Sequence, residues 1–295
     1  MIAHMAVQAL EAEAALAPKP GLVTPFSQGA HRDMDYSLFL ASAKALEPCF
    51  DACVRAGMTA NAANLPHLLE RLRGIGLQGE EDMFRATGGV NTHKGAIFCL
   101  GLLCAAMGVL LEQGATSSTV PLGDRACALV ARLCEGLVDR ELGGLQPRMM
   151  LTAGERLYRD RGLRGARGQA EDGYPLLRLT LLPLLRNGHG HDPGRYEQAC
   201  LDALLHAMVE LEDSCLLTRG GMEGLALACD GARDVLGLGG AGTLQGRQAL
   251  ARLDHAMSQR GLSPGGCADM LAAALFLVEA EHRLAGESCL RLWIA

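Results

Sequence analysis

The chain has 295 residues, a net charge of −6 and 49% hydrophobic residues, with aromatics at 4%. That balance gives a globular chain able to bury a core without disulfides, and excludes a disordered one. The acidic net charge argues against nucleic acid as a partner, since non-specific binding needs a basic surface.

Leucine and alanine dominate, and isoleucine occurs only at Ile2, Ile75, Ile97 and Ile294, which favours helix over strand. The eleven cysteines are an odd number scattered as single residues, so they read as buried reduced thiols in a cytoplasmic protein. The N-terminus lacks a basic region and carries Glu11 and Glu13, so it is not a signal peptide.

In chain order, residues 1–17 predict an amphipathic helix stopped by Pro18 and Pro20. The Pro- and Gly-rich segment 18–31 is a loop, after which Asp33 or its neighbour caps a second helix through Leu46. A third helix starts at Asn64 and runs to about Arg73, and a short one covers about Glu80–Arg85. Next comes the segment around which the chain is organised. Gly88 and Gly89 form a loop, Thr92 is an N-cap, and a helix begins at His93 or Lys94 and runs through the apolar stretch Ala96–Leu111. This run is short of a membrane span and apolar on most sides, so it is a core helix. Further helices are expected over about Leu122–Asp139, Leu151–Arg159 and Leu176–Arg186, the last kinked at Pro183, with a loop, or a loop leading into a helix, at 162–175 and a turn at 187–194. Long helices follow over Arg195–Leu211, Gly221–Leu236, Thr243–Gln259 and Gly265–Leu284. No segment alternates with period two and no linker divides the chain, so residues 1–295 are expected to form a single all-α catalytic domain around a central buried helix.

Five polar, glycine-bearing segments sit at helix starts. GGVNTHKG, residues 88–95, is not a Walker A loop: Gly95 follows the lysine and no strand precedes it. As a helix mouth with Asn91, Thr92, His93 and Lys94, it suits a phosphate. GAHRDMD, 29–35, sets Asp33 and Asp35 beside His31; these carboxylates complement a helix dipole, hold Mg²⁺ or take a proton from a hydroxyl. RGARGQAEDG, 164–173, offers Arg164 and Arg167 as forks for phosphate with Glu171 beside them, or is a solvated basic loop. LEDSCLLTRGG, 211–221, presents Glu212, Asp213 and Arg219 at a helix joint, and LSPGGCADM, 262–270, opens a helix with Ser263 before it and Asp269 in its first turns. His189 and His191 lie in a turn with no further ligands for a metal. The chain has 24 arginines and three lysines, Lys19, Lys44 and Lys94, and two of these lysines lie in glycine-flanked polar segments where a compact point charge has been kept.

PKPGLV, GAHRDMD, TGGVNTHKGAIFCLGLL, GARGQAEDGYP, TRGG and LSPGGCADMLA appear in this order from about Pro18 to Leu277. Together they resemble the triphosphoribosyl-dephospho-CoA synthase family, which serves citrate lyase and malonate decarboxylase. The stretch LTAGERLYRDRGLRGARG looks more like the malonate decarboxylase branch. The chain departs from the family pattern at Ser27 and Gln28, at Ala153, at Gln169 where Glu is expected, and at Ser214 and Cys215. The resemblance implies that the 2′-hydroxyl of 3′-dephospho-CoA attacks C1 of the ATP ribose. Adenine leaves and a triphosphoribosyl group is transferred, with Mg²⁺ as cofactor. The product then goes to a transferase acting on an acyl carrier protein.

Such a transfer passes through an oxocarbenium-like state. Lys19, Lys94, Arg164, Arg167 and Arg219 are the candidates for triphosphate, with Asn91, Thr92 and Ser263 at the helix mouths. Asp33, Asp35 and Glu171 are the candidates for metal. Asp33, Asp35, Glu171, Glu212 and Asp213 are the available carboxylates, with Glu212 or Asp213 favoured as base, and His31 or His93 would serve the departing adenine. Two other readings use the same residues: a non-catalytic adaptor that binds a finished precursor, and a Mg²⁺-dependent helical hydrolase of N-glycosidic bonds. Neither partner membrane nor nucleic acid is expected, and a homodimer is compatible with the Leu/Ala-rich composition.

Overall fold

The structure is a computed structural model that describes residues 1–60, 65–114, 118–145, 150–188 and 192–284. All named elements among them are helical: α1 Ile2–Ala15, α2 Tyr36–Ala45, α3 Glu47–Met58, α4 Leu65–Ala86, α5 Lys94–Glu112, α6 Leu122–Leu133, α7 Leu137–Leu142, α8 Ala153–Arg161, α9 Gly165–Glu171, α10 Leu182–Gly188, α11 Pro193–Glu210, α12 Ser214–Gly237, α13 Leu244–Gln259 and α14 Gly265–Leu284. The all-α expectation holds, and one continuous apolar core runs through the molecule.

Helix α5 is central because nearly all of it is apolar, and it packs against α1, α3, α4, α6, α9 and α14. It is long and apolar enough to cross a membrane by composition, but 78% of that window is buried inside the fold. Its closest neighbour is α3. A Cβ on Gly57 would fall 2.0 Å from the Ala105 carbonyl oxygen, and one on Gly108 would fall 2.2 Å from that of Val54. The two backbones therefore touch across these glycines, with no side chain between them. Helix α14 is the second buried helix, apolar from Met270 to Val278, and it lies against α1, α5 and α11.

Several boundaries differ from the sequence expectation. Residues 47–58 form a helix that the sequence reading passed over; Pro48 in its first turn starts it. The two pieces expected at 65–73 and 80–85 are one helix, α4, because Gly74, Gly76 and Gly79 are tolerated inside it: Gly79 makes room for Cys49. The expected cap Asn64 lies outside the described residues, as do His189 and His191. Gly136, at φ 69°, divides the helix expected at 122–139 into α6 and α7. The loop expected at 162–175 contains the short α9. Ahead of Pro183 the chain takes a π-turn over Leu177–Leu181, since proline supplies no N–H to the preceding turn. Helix α12 starts at Ser214 rather than Gly221, and Gly221, at φ 60°, breaks it internally.

Candidate active site

At the mouth of α5 the N-cap is His93, not Thr92 as the sequence suggested. The Thr92 hydroxyl is drawn instead to α2, where it donates to Ser42 Oγ at 2.6 Å. Asn91 takes over the capping, its Oδ1 accepting from the Lys94 backbone N–H at 3.3 Å. Ser42 Oγ lies 2.7 Å from His93 Nδ1. Ser42 Oγ thus joins the Thr92 hydroxyl to the His93 ring. His93 is 3% exposed and its Nε2 has no partner among the described residues. Burial, with the Lys19 charge nearby, pushes its pKa down to about 3. It is therefore a neutral ring rather than an imidazolium.

The five cations expected to meet phosphate divide sharply. Lys19 is 1% exposed and donates to the Glu13 carboxylate at 2.5 Å and the Glu13 carbonyl at 2.6 Å. Burial lowers its pKa, although Glu13 opposes the shift. It is a buried ion pair bracing α1 to the following loop, closed to a triphosphate. Lys94 is half-exposed and pairs with Glu80 of α4 at 2.6 Å. Arg167 pairs with Glu141 of α7 at 2.6 Å, and Glu141 also holds Arg73 of α4. Arg73 and Glu80 lie seven residues apart on one face of α4, about 10 Å along its axis. The Lys94 and Arg167 networks thus line the same face. Arg164 grips Asp172 with both terminal nitrogens and Glu171 with one, all at 2.9 Å. Beside it a cavity of about 700 Å³ is lined by Val138, Leu142, Tyr158, Arg159, Arg164 and Glu171. Arg219 alone of the five has no carboxylate partner among the described residues. Its guanidinium donates to the Gly261 carbonyl at 3.2 Å and to His31 Nδ1 at 3.3 Å.

His31 Nε2 is 2.9 Å from Ser263 Oγ, so loop 29–35, the first part of α12 and the entry to α14 meet at one place. Burial, then Arg219, lowers the His31 pKa, and Asp33, 3.8 Å from Nδ1, opposes the shift. Deeper in, Asp213 is 1% exposed. Its Oδ1 accepts from the N–H groups of Cys215 and Leu216 at 2.7 and 3.1 Å, and its Oδ2 accepts from Cys267 N–H at 2.9 Å. One carboxylate therefore caps both α12 and α14. Asp269 on the next turn of α14 presses on α5: a Cβ on Gly95 would fall 2.0 Å from its Oδ2. The starts of α5, α12 and α14 converge on this carboxylate pair. Burial raises the pKa of Asp213, against its hydrogen bonds. Burial, then Asp213 and Glu13, raises that of Asp269 well above the usual range.

The remaining expected residues lie apart from this centre or are engaged. Asp35 Oδ1 is the N-cap of α2, accepting from Leu38 N–H at 2.9 Å and Ser37 Oγ at 2.7 Å. Glu171 is paired with Arg164, and Glu212 is exposed. Asp33, Asp35 and Glu171 do not form a ligand set; among the described residues no three His, Cys, Asp or Glu side chains are placed to hold a metal. The ten described cysteines are all free.

The sequence reading missed Glu13, Ser42, Glu80 and Glu141, and gave Asp269 no role. Glu13 had a visible signal: with Met5, Ala6, Ala9 and Ala12 it falls on the apolar stripe of α1, where a charge must find a partner. Asp269 had another, as a carboxylate inside the otherwise apolar first turns of α14. Ser42, Glu80 and Glu141 had none, because their partners come from other helices.

Compared with known proteins, residues 1–288 match the family described as ATP:dephospho-CoA triphosphoribosyl transferase. A Citrobacter koseri protein named "probable 2-(5''-triphosphoribosyl)-3'-dephosphocoenzyme-A synthase" is 43% identical over 94% of this chain and 89% of its own. Proteins of the same name from Albidiferax ferrireducens and Vibrio cholerae serotype O1 are 41% and 40% identical, each over 95% of this chain and 91% and 88% of their own. No solved structure matches the chain.

Proposed function

The chain belongs to the ATP:dephospho-CoA triphosphoribosyl transferase family, a family of pentosyltransferases, and we propose that it joins C1 of the ATP ribose to the 2′-hydroxyl of 3′-dephospho-CoA, releasing adenine and keeping the triphosphate intact. The observation that best supports this reading is the meeting of the starts of α5, α12 and α14 beside Arg219, the one of the five candidate cations with no carboxylate partner among the described residues. A guanidinium without a carboxylate partner suits a phosphate chain. Lys94, Arg164 and Arg167 are each held by a carboxylate that a triphosphate could replace without leaving the cation unpaired. Neutral His31 and His93 would hydrogen-bond the leaving base or the phosphates rather than act as strong acids. The burial of Asp213 beside Asp269 suits a site that must keep water from C1, where it would hydrolyse ATP.

The described residues make no metal cage. Mg²⁺ would arrive with the substrate as MgATP, which needs only phosphate oxygens, water and one or two carboxylates. Exposed Asp33, beside His31, is the carboxylate best placed for that.

The product would pass to a transferase acting on an acyl carrier protein, in the cytoplasm. The 151–168 stretch favours malonate decarboxylase over citrate lyase as the recipient system. The chemical test is mass analysis of the product from ATP and 3′-dephospho-CoA: the acceptor gains a ribose bearing three phosphates. An unchanged acceptor would refute the reaction. The genes beside this one test the recipient system, and citrate lyase subunits there would overturn the malonate decarboxylase assignment.

A further inference from the structure

The transfer needs a carboxylate free to act, and the two favoured on sequence grounds do not suit. Glu212 is exposed. Asp213 is buried and its two oxygens already accept three backbone N–H groups. Its pull on α12 and α14 is structural.

Asp269 is different. It is only partly buried, and among the described residues its carboxylate makes no hydrogen bond or ion pair. Its Oδ2 occupies the place that any side chain at residue 95 would fill, one turn inside the mouth of α5. A second, independent observation comes from the same mouth. His93, two residues before Gly95, is 3% exposed and its Nε2 has no partner among the described residues. The two groups share one neighbourhood: the buried Glu13–Lys19 pair bears on both, Lys19 on His93 and Glu13 on Asp269. A buried ring nitrogen without a partner and a carboxylate lacking a donor thus both lie at the start of α5. The proposed reaction presents the complementary pair, a ring nitrogen on the leaving base and a hydroxyl on the acceptor.

We propose that Asp269 is a catalytic residue, the carboxylate that takes the proton of the attacking 2′-hydroxyl and flanks the cationic ribosyl carbon, with Asp213 as the positioning residue that holds α12 and α14 around it. This rests on the transfer reaction proposed above. The acceptor O2′ bonds to C1 of the ribose as the C1–N9 bond breaks. The electron pair of that bond leaves with adenine, which takes up one proton from water. The hydroxyl proton goes to Asp269 and then to solvent, so atoms and charge balance. The groups facing Asp269 are Asp213, Cys215 and Cys267 at the α12–α14 junction, Glu13 from α1, and Cys99 from α5. The anionic neighbours and burial both hold its proton more tightly, which makes it a stronger base than an exposed carboxylate.

The test uses the full chain with ATP, Mg²⁺ and 3′-dephospho-CoA. Asp269→Asn keeps the shape and removes the charge. It should lower kcat for adenine release by roughly 10²- to 10⁴-fold, with ATP binding within about threefold of wild type. Wild-type kcat should fall on the acid side with an apparent pKa above the ordinary carboxylate range, and Asp269→Asn should lose that limb, while Asp213→Asn keeps it in whatever activity survives. Gly95→Ala, which drives a methyl group into Oδ2, should reproduce the loss of kcat. An Asp269→Asn enzyme within threefold of wild-type kcat overturns the assignment. Should the variants fail to fold, a wild-type kcat that is flat down to pH 5 overturns it equally. A wild-type enzyme that turns over neither substrate refutes the reaction itself and is distinguished by the absence of any adenine.

Discussion

Acidification should destabilise the fold through His93, by an amount the structure sets. The ring is buried and neutral in the native state, with its pKa pushed down to about 3. In the unfolded chain it returns to the ordinary value near 6.5. Between those values the unfolded chain holds a proton that the folded chain refuses, so stability is fully present above about pH 6.5 and falls as pH drops. From pH 7 to pH 4.5 the folded ring stays neutral across about two units in which the unfolded ring is charged, a cost of about 2–3 kcal/mol at 1.36 kcal/mol per unit. Urea unfolding at both pH values, on wild type and His93→Gln, separates this from every other titrating group. Wild type should lose about 2–3 kcal/mol more than the variant over that interval. Equal losses in the two proteins would show that His93 is hydrated or charged in the fold, and would remove its unpartnered Nε2 from the site.

Asp213→Ala removes the cap of α12 and leaves the Cys267 N–H buried without an acceptor; it should cost about 2–5 kcal/mol and lower Tm by roughly 5–15 °C in thermal denaturation. Lys94→Ala removes one half of a half-exposed ion pair, so Tm should stay within a few degrees, while ATP affinity or turnover falls roughly ten- to a thousand-fold. Wild-type ATP binding and adenine release in that variant would take Lys94 out of the site. Arg219→Ala should raise the KM for ATP at least about tenfold, and Arg219→Lys should rescue only in part, because the planar fork that reaches both His31 and Gly261 is lost. Gly57→Ala places a Cβ 2.0 Å from the Ala105 carbonyl and should destabilise the α3–α5 contact by about 1–3 kcal/mol in urea unfolding, without a specific effect on KM.

The fold class and the central helix were legible because composition and periodicity are local. Helix α14 starts where the sequence placed it, since Ser263-Pro264-Gly265 and the apolar run after it are unambiguous. Boundaries failed where the outcome depended on a partner elsewhere. Gly79 sits inside α4 because Cys49 fills the space beside it, and Thr92 gives up its capping role because Ser42, fifty residues away in sequence, binds its hydroxyl. The site shows the same division. Sequence could place His31, Ser263, Arg219 and Asp213 at helix ends, and the structure joins these ends. It could not show that Lys19 is sealed against Glu13, or that Lys94 and Arg167 are held by Glu80 and Glu141. Glu13 announces only that it needs a partner, while Glu80 and Glu141 are ordinary surface carboxylates in the sequence, and only the packing of α4 and α7 gives them a role.

The central claim is transfer of a ribosyl group from ATP without cleavage of its phosphates. Wild-type protein incubated with MgATP and 3′-dephospho-CoA, with the nucleotides and bases separated by chromatography over time, tests it most directly. Free adenine should appear one-for-one with loss of 3′-dephospho-CoA, with no ADP, AMP or pyrophosphate. ADP or pyrophosphate accumulating without adenine, or adenine released at the same rate when the acceptor is omitted, would contradict it.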